Sequence, residues 1–237
     1  MVMLIFYYFV IGGTDMNEYP KEHMFIRLCK EKGYKNVAEI GVFSGTLTNR
    51  FISSYVNAGI EIGKYYCVDP WKVYVDKYHR AYSENESDQD WWDSLYERVM
   101  TIHKKYPDNV FIVRMESTDA AKIMKNNSLE FDAVYIDGIH DEENIVKDVY
   151  SWLPLIRKGG MISGHDYIKT FADMAKALDN IFMKRLNIMI IDDSKPALSY
   201  KNTAQGGNWW VWVNNKMKKD CLKRIENIYP NYVESIK

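Results

Sequence analysis

Residues 35–51 read KNVAEIGVFSGTLTNRF, and the fold is decided by how this stretch runs. Residues 37–40, Val-Ala-Glu-Ile, are too short and too continuous for an amphipathic helix, which suits a strand buried on both faces of a parallel sheet. The run passes through Glu39-Ile40-Gly41, turns over Val42-Phe43-Ser44-Gly45, and continues into a segment where Leu47 and Phe51 recur at helical spacing. Strand, glycine turn and helix in that order bring bare backbone and a helix N-terminus to the carboxyl end of a strand, where open α/β sheets bind ligands. The spacing E-x-G-x-x-x-G is neither the G-x-G-x-x-G of a dinucleotide fold nor the G-x-x-x-x-G-K-[ST] of a phosphate loop, and no lysine follows to hold a phosphate. An acid before the first glycine suits a ligand with a cationic or donor-rich end. A purely structural glycine turn accounts for the same residues.

Working outward, residues 64–69 (KYYCVD) give a second buried strand ending in Asp69. That acid follows Gly41 by about thirty residues, where a doubly wound sheet lets a carboxylate accept hydrogen bonds from ribose hydroxyls. A turn acid before Pro70 is the plainer reading. Upstream, residues 20–32 read as a first helix, with Pro20 in its first turn and Gly33 just past its end. Downstream, residues 70–106 form a long aromatic insertion containing Trp71, Tyr74, Trp91, Trp92 and Tyr96. Within it, Ser87 or Asp90 is expected to cap a helix whose stripe is Trp92, Leu95, Tyr96, Val99 and Ile102, and residues 73–88 are a candidate substrate lid.

Residues 109–114 are expected to be the third strand, leading through Glu116-Ser117-Thr118-Asp119 into a helix over 120–125, with Ser117 a candidate cap. The fourth strand, 131–136, ends at Asp137-Gly138-Ile139-His140, and Asp141 caps the helix that follows. Gly159-Gly160 should break that helix, and 161–163 form a fifth strand ending at Gly164-His165-Asp166. Two neighbouring strands thus deliver acids and a histidine each to one edge of the sheet. A helix over 170–184, strands over 186–191 and 208–213 joined by a long connection, and a charged peripheral helix from Lys216 complete the chain.

The E-I-G-V-F-S-G stretch resembles the first motif of the class I S-adenosylmethionine (SAM) dependent methyltransferases. The D-G-x-H and H-D pairs narrow the resemblance to members acting on small hydroxylated molecules, including sugar O-methyltransferases. The likeness implies a Rossmann-like α/β fold: a seven-stranded, mostly parallel sheet with an antiparallel last strand and helices on both faces. It also implies SAM held by Glu39, Gly41, Val42, Phe43, Gly45, Asp69, Trp71, Glu116, Ser117 and Asp137, with Glu116 accepting from the adenine amino group. His140 matches a base, and Asp137, His165 and Asp166 match a divalent-metal set for magnesium or manganese. In that set the family usually has an acid where this chain has His165. A neutral ligand there weakens a hard ion such as magnesium and favours manganese, iron or zinc, or leaves no metal bound.

The residues alone point to the same chemistry. A hydroxyl is a poor nucleophile until it loses its proton, to a general base such as a histidine near pKa ~6.5 or under the pull of a divalent cation. Taken with the resemblance, His140, Asp137 and His165 are the candidate catalytic residues. The plainer readings are that His140 stabilises its loop and that His165-Asp166 caps a helix. A non-catalytic SAM-fold scaffold and, less readily, an NAD-dependent oxidoreductase are the competing functions.

Composition bounds the rest. The 237 residues suit one α/β domain, 16–237, and the formal net charge of -1 from 31 basic and 32 acidic residues favours neither nucleic acid nor an anionic membrane as partner. A small-molecule substrate is expected, and a homo-oligomer stays open. Cys29, Cys67 and Cys221 lie far apart without a C-x-x-C pair, which argues for reduced thiols and a cytoplasmic location. Residues 1–11 are apolar but well short of the ~20 that span a bilayer. Residues 1–15 are either a packing arm or a leader ahead of a natural start at Met16.

Overall fold

The computed structural model describes residues 23–74, 88–167, 171–190 and 207–237. The expected arm over 1–15, most of the candidate lid, and the connection between the last two strands lie outside the described residues.

The elements run α1 (Met24–Lys32), β1 (Asn36–Ile40), α2 (Thr46–Asn57), β2 (Lys64–Val68), α3 (Gln89–Lys105), β3 (Val110–Val113), α4 (Ser117–Asn126) and β4 (Phe131–Ile136). They continue with α5 (Glu142–Trp152), β5 (Ile156–Gly164), α6 (Ala172–Phe182), β6 (Asn187–Ile190), β7 (Gly207–Trp212), α7 (Asn215–Ile228) and α8 (Pro230–Glu234). One seven-stranded sheet has the order β3-β2-β1-β4-β5-β7-β6. All neighbours pair parallel except β7, which is antiparallel to both β5 and β6. The chain builds outward from β1 to β3 and then returns to β4, so the strand order reverses between β1 and β4. The crevice over the carboxyl ends of those two strands is where such sheets bind ligands.

Alternation along β1 serves both faces. Val37 packs with Phe25, Phe51, Tyr55, Tyr65, Trp92 and Val99 on the side of α1, α2 and α3. Ala38 and Ile40 pack with Met124, Val149, Trp152, Leu178 and Phe182 on the side of α4, α5 and α6. Gly33 ends α1 in the left-handed conformation at φ 64°, a region open to glycine without a Cβ penalty.

Four local expectations are corrected. Asp88, not Ser87 or Asp90, caps α3, and its carboxylate accepts from Asp90 N. Helix α4 starts at Ser117 with Glu116 at the cap position, so Ser117 is a helical residue and not the cap; its Oγ accepts instead from Trp152 Nε1 at 2.8 Å. Gly159 and Gly160 lie inside β5 rather than between helix and strand, where a Cβ on Gly160 would meet the Asp132 carbonyl oxygen at 2.5 Å. The C-terminal helix is no mere periphery, because α7 buries Met217, Cys221 and Ile225 in the core beside α5 and α6.

Candidate active site

Gly41 ends β1 and sits at φ 82°. A Cβ there would lie 2.2 Å from the Asp137 carbonyl oxygen and 2.7 Å from Gly138 Cα, so glycine is what lets the β1 turn and the loop after β4 touch. One backbone bond locks this approach, Asp137 N donating to Ile40 O at 2.7 Å, while Gly41 N donates to Val68 O at 2.9 Å and ties the turn to β2. The turn then passes through Phe43 at φ 54° and Gly45 at φ 73°. Phe43 is 45% exposed, with its ring edge-on to Trp91 and Trp92.

Asp69 holds this turn together. Its Oδ2 accepts from Val42 N and Phe43 N, each at 2.9 Å, and Oδ1 accepts from Trp71 N at 2.7 Å. Trp71, itself buried, returns a bond from Nε1 to Phe43 O at 2.8 Å. The carboxyl is only 7% exposed. Burial raises its pKa, against the pull of the three N–H donors. As arranged, Asp69 secures the left-handed backbone at Phe43, and Oδ1 keeps one lone pair beyond its bond to Trp71. Glu39 is more enclosed, 2% exposed, with Oε2 accepting from Thr48 Oγ1 at 2.6 Å and Tyr65 Oη at 2.7 Å. Burial lifts its pKa to about 8 despite those two hydrogen bonds, which favours the protonated acid at neutral pH in the ligand-free chain. Glu116 is half-exposed beside Ser117 and pairs with Lys72.

The ends of β4 and β5 bring Asp137, His140, His165 and Asp166 together. His140 Nε2 lies 2.9 Å from Asp166 Oδ2 and 3.4 Å from Asp137 Oδ1. His165 Nδ1 lies 2.8 Å from Asp166 Oδ1 and 4.0 Å from Asp137 Oδ1. Burial disfavours a charged His140 ring, but the bonds to Asp137 and Asp166 outweigh it and hold the pKa up at about 9. The same contacts overcome burial at Asp166 and keep its carboxyl well below the ordinary range. For His165, burial is likewise outweighed and its pKa is raised. Asp166 sits at φ 58°, an uncommon conformation for a residue with a side chain and a form of strain that gathers at functional sites. Phe171 stacks on His140 with ring centroids 4.7 Å apart.

Ligand atoms of Asp137, His140 and Asp166 all lie within 4.8 Å of one another. Two carboxylates and an imidazole suit manganese, iron or zinc. His165, in the set expected from sequence, faces Asp166 rather than completing this trio. Two residues that the sequence reading passed over also belong to the neighbourhood. Tyr135 donates to Asn208 Oδ1 at 3.1 Å, and His23 stands edge-on to Tyr135 with a buried Nδ1 that has no hydrogen-bond partner among the described residues. A lone histidine ahead of an apolar helix carries no signal that would place it there.

The profile of the family described as "Methyltransferase domain" matches residues 38–167, the span from β1 through the acid and histidine cluster. The chain belongs to the methyltransferase domain family. By family and fold it is a class I, SAM-dependent methyltransferase. Solved structures agree on the architecture. An O-methyltransferase from Bacillus cereus in complex with SAH aligns with TM-score 0.51 at 17% identity, covering 84% of each chain. A calicheamicin methyltransferase aligns with TM-score 0.56 at 11% identity over 81% of this chain and 78% of that one. An rRNA methylase from Streptococcus thermophilus aligns with TM-score 0.53 at 11% identity over 84% of this chain and all, 100%, of that one. At such identities the likeness is one of fold, and the three titles span different substrates. No curated protein matches the sequence. Among the described residues of this methyltransferase no helix is long and apolar enough to cross a membrane.

Proposed function

We propose that this methyltransferase transfers the methyl group of SAM to an oxygen of a small hydroxylated molecule, sugar-like or phenolic. One observation carries the reading: two carboxylates and two imidazoles meet at the carboxyl ends of β4 and β5, beside the switch point of the sheet. The residues fit SAM at three points. Phe43 is an exposed apolar surface, a Cβ on Gly138 would meet among the described residues only Asp148 Oδ2, at 3.7 Å, and Glu116 and Ser117 stand at the end of β3 as acceptor and first-turn donor. Bound there, SAM supplies an electrophilic methyl and its own leaving group.

What the chain must add is position and a deprotonated acceptor. With a pKa of about 9, His140 carries a proton at neutral pH and cannot take another. It becomes available when the negative charge of Asp137 and Asp166 is engaged elsewhere. Asp137, Asp166 and His140 would hold a divalent cation, whose Lewis acidity lowers the pKa of a substrate hydroxyl. His165, held by Asp166, is then the imidazole nearest to the trio. Phe171 and His140 form a stacked wall against which a flat or sugar ring can rest.

The test is calorimetry with S-adenosylhomocysteine, followed by methyl transfer to catechol and to hydroxylated sugars, each with manganese and with chelator. Binding of the nucleoside, with turnover that falls at least about a hundredfold in His140→Ala, is expected. Absent heat at saturating protein, or unchanged turnover in that variant, would overturn the reading.

A further inference from the structure

An imidazole outside the acid cluster has a nitrogen with nothing bonded to it. His23 stands at the cap position ahead of α1 but makes no side-chain cap bond, so helix capping does not account for its ring. Its Nε2 lies 3.4 Å from Tyr135 Oη, and Tyr135 is the penultimate residue of β4, just ahead of Asp137. Burial raises the Tyr135 pKa well above its ordinary value, so the phenol keeps its proton, which it donates to Asn208 Oδ1 at 3.1 Å. Tyr135 Oη therefore faces the ring as an acceptor, and Nε2 is the nitrogen that carries hydrogen. Nδ1 is left as a lone pair, buried and without a hydrogen-bond partner among the described residues. A buried polar atom in that state calls for a partner that the chain does not supply. The ring also belongs to the reacting rim, since the charges of His165, Asp137 and Arg50 all act on it.

We propose that His23 is a catalytic residue whose Nδ1 takes the proton of the substrate hydroxyl as the methyl group is transferred. The inference rests on the O-methyltransferase reading given above. A hydroxyl is the kind of donor that completes a bare imidazole nitrogen. As the hydroxyl oxygen forms its bond to the methyl carbon, the carbon–sulfur bond breaks with its electron pair going to sulfur, and the O–H proton passes to Nδ1. The products are the methyl ether, neutral S-adenosylhomocysteine and an imidazolium that returns its proton to solvent, so the positive charge of the sulfonium leaves as that proton. Burial first, then the charge of His165, lower the His23 pKa to about 4, with Asp137 opposing and Arg50 adding to the shift. Such a ring is a weak base, but its lone pair is open at neutral pH. Weakness is no bar, because the proton comes from an oxygen that is turning into a methylated oxonium, a much stronger acid than an imidazolium. Asp137 then gives the new imidazolium a negative neighbour.

The experiment follows the full chain in the wild type, His23→Gln and His23→Ala. Gln still donates to Tyr135 but cannot take a proton. Proton–nitrogen correlation spectra of the labelled, ligand-free wild type should show His23 at neutral pH with hydrogen on Nε2 alone. The kcat for the acceptor that turns over, catechol or a hydroxylated sugar, should fall at least about a hundredfold in both variants, while calorimetric dissociation constants for S-adenosylhomocysteine stay within about threefold. Tyr135→Phe, which removes the oxygen that fixes the tautomer, should lower kcat about tenfold; an unchanged kcat there overturns the inference where the His23 variants do not fold. A proton on Nδ1, or a kcat in His23→Gln within about threefold of the wild type, makes His23 a packing residue and overturns it. Affinity for S-adenosylhomocysteine that falls in step with kcat makes His23 a cofactor contact and overturns it as well. A wild type that methylates neither kind of acceptor removes the O-methyltransferase reading itself.

Discussion

Glu39→Gln isolates the electrostatics of the buried acid under the glycine turn. Its pKa moves from 4.5 to about 8, and each unit is worth about 1.4 kcal/mol. Because the folded value is raised, the folded chain holds a proton that the unfolded chain releases above 4.5, so stability falls as pH rises through the window from 4.5 to about 8. The full penalty is on the order of 4 to 5 kcal/mol above that window, and under about 1 kcal/mol near pH 5. Gln keeps an oxygen for Thr48 and Tyr65 and cannot ionise. Its amide hydrogens lack a partner and cost about 1 to 2 kcal/mol at every pH. Urea unfolding of both chains at about pH 5 and about pH 8.5 should therefore show the variant gaining about 4 kcal/mol on the wild type between the two conditions. Affinity for S-adenosylhomocysteine at neutral pH should stay within about threefold, since a neutral acid offers no charge to a ligand. Parallel pH dependences, together with a loss of affinity of tenfold or more (about 1.4 kcal/mol), would refute the reasoning and make Glu39 an ionised ligand contact.

Asp166→Asn removes the closer of the two charges that keep His140 protonated, so the His140 titration followed by proton NMR should fall from about 9 by at least about one unit toward its ordinary value; no movement would mean the ion pair is not what raises it. His140→Gln should flatten the pH dependence of stability between 6.5 and about 9, the window in which a raised imidazole loses its contribution as pH rises, and an unchanged slope there counts against the assignment. Gly41→Ala places a Cβ 2.2 Å from a carbonyl oxygen at φ 82° and should cost at least about 3 kcal/mol, and an unshifted thermal midpoint would contradict the close approach of the two turns.

Much of the scaffold was legible because it depends on periodicity and on glycine. The run at 37–40, its glycine turn and the helix after it needed only the apolar spacing, and β4 with its Asp141 cap followed the same logic. The errors have specific physical sources. A Gly-Gly pair reads as a helix breaker, but at 159–160 it accommodates the backbone of a neighbouring strand. Ser117 sits where a cap would, yet the indole of Trp152, thirty-five residues on, claims its oxygen. The α7 stripe Met217, Cys221 and Ile225 does repeat at helical spacing, and the four charged residues between Lys216 and Asp220 would have been set aside only by counting every fourth position. Spacing cannot reveal which way a carboxylate turns. Asp69 at a strand end fits a ribose or its own turn equally, and only coordinates show three N–H groups already on it.

The protonation of His140 is illegible for a deeper reason, because it arises from two acids on different strands. Asp137 is three residues away and Asp166 twenty-six, and a base near pKa ~6.5 is what the isolated ring suggests. Paired with both, the ring is held as a cation, which reverses its capacity: it donates where a base must accept. Under the proposed function such a site would have two self-consistent states, an internal ion cluster with the proton on His140, or a cation seated among the carboxylates with the ring neutral. The bonds that keep the first state intact before a ligand arrives are the ones that must be given up for the second. Since Asp137 N is bonded to Ile40 O and its carbonyl abuts Gly41, any shift of Asp137 between those states would be felt at the glycine turn, which under the proposed function would link acceptor activation to the donor's position through backbone contact.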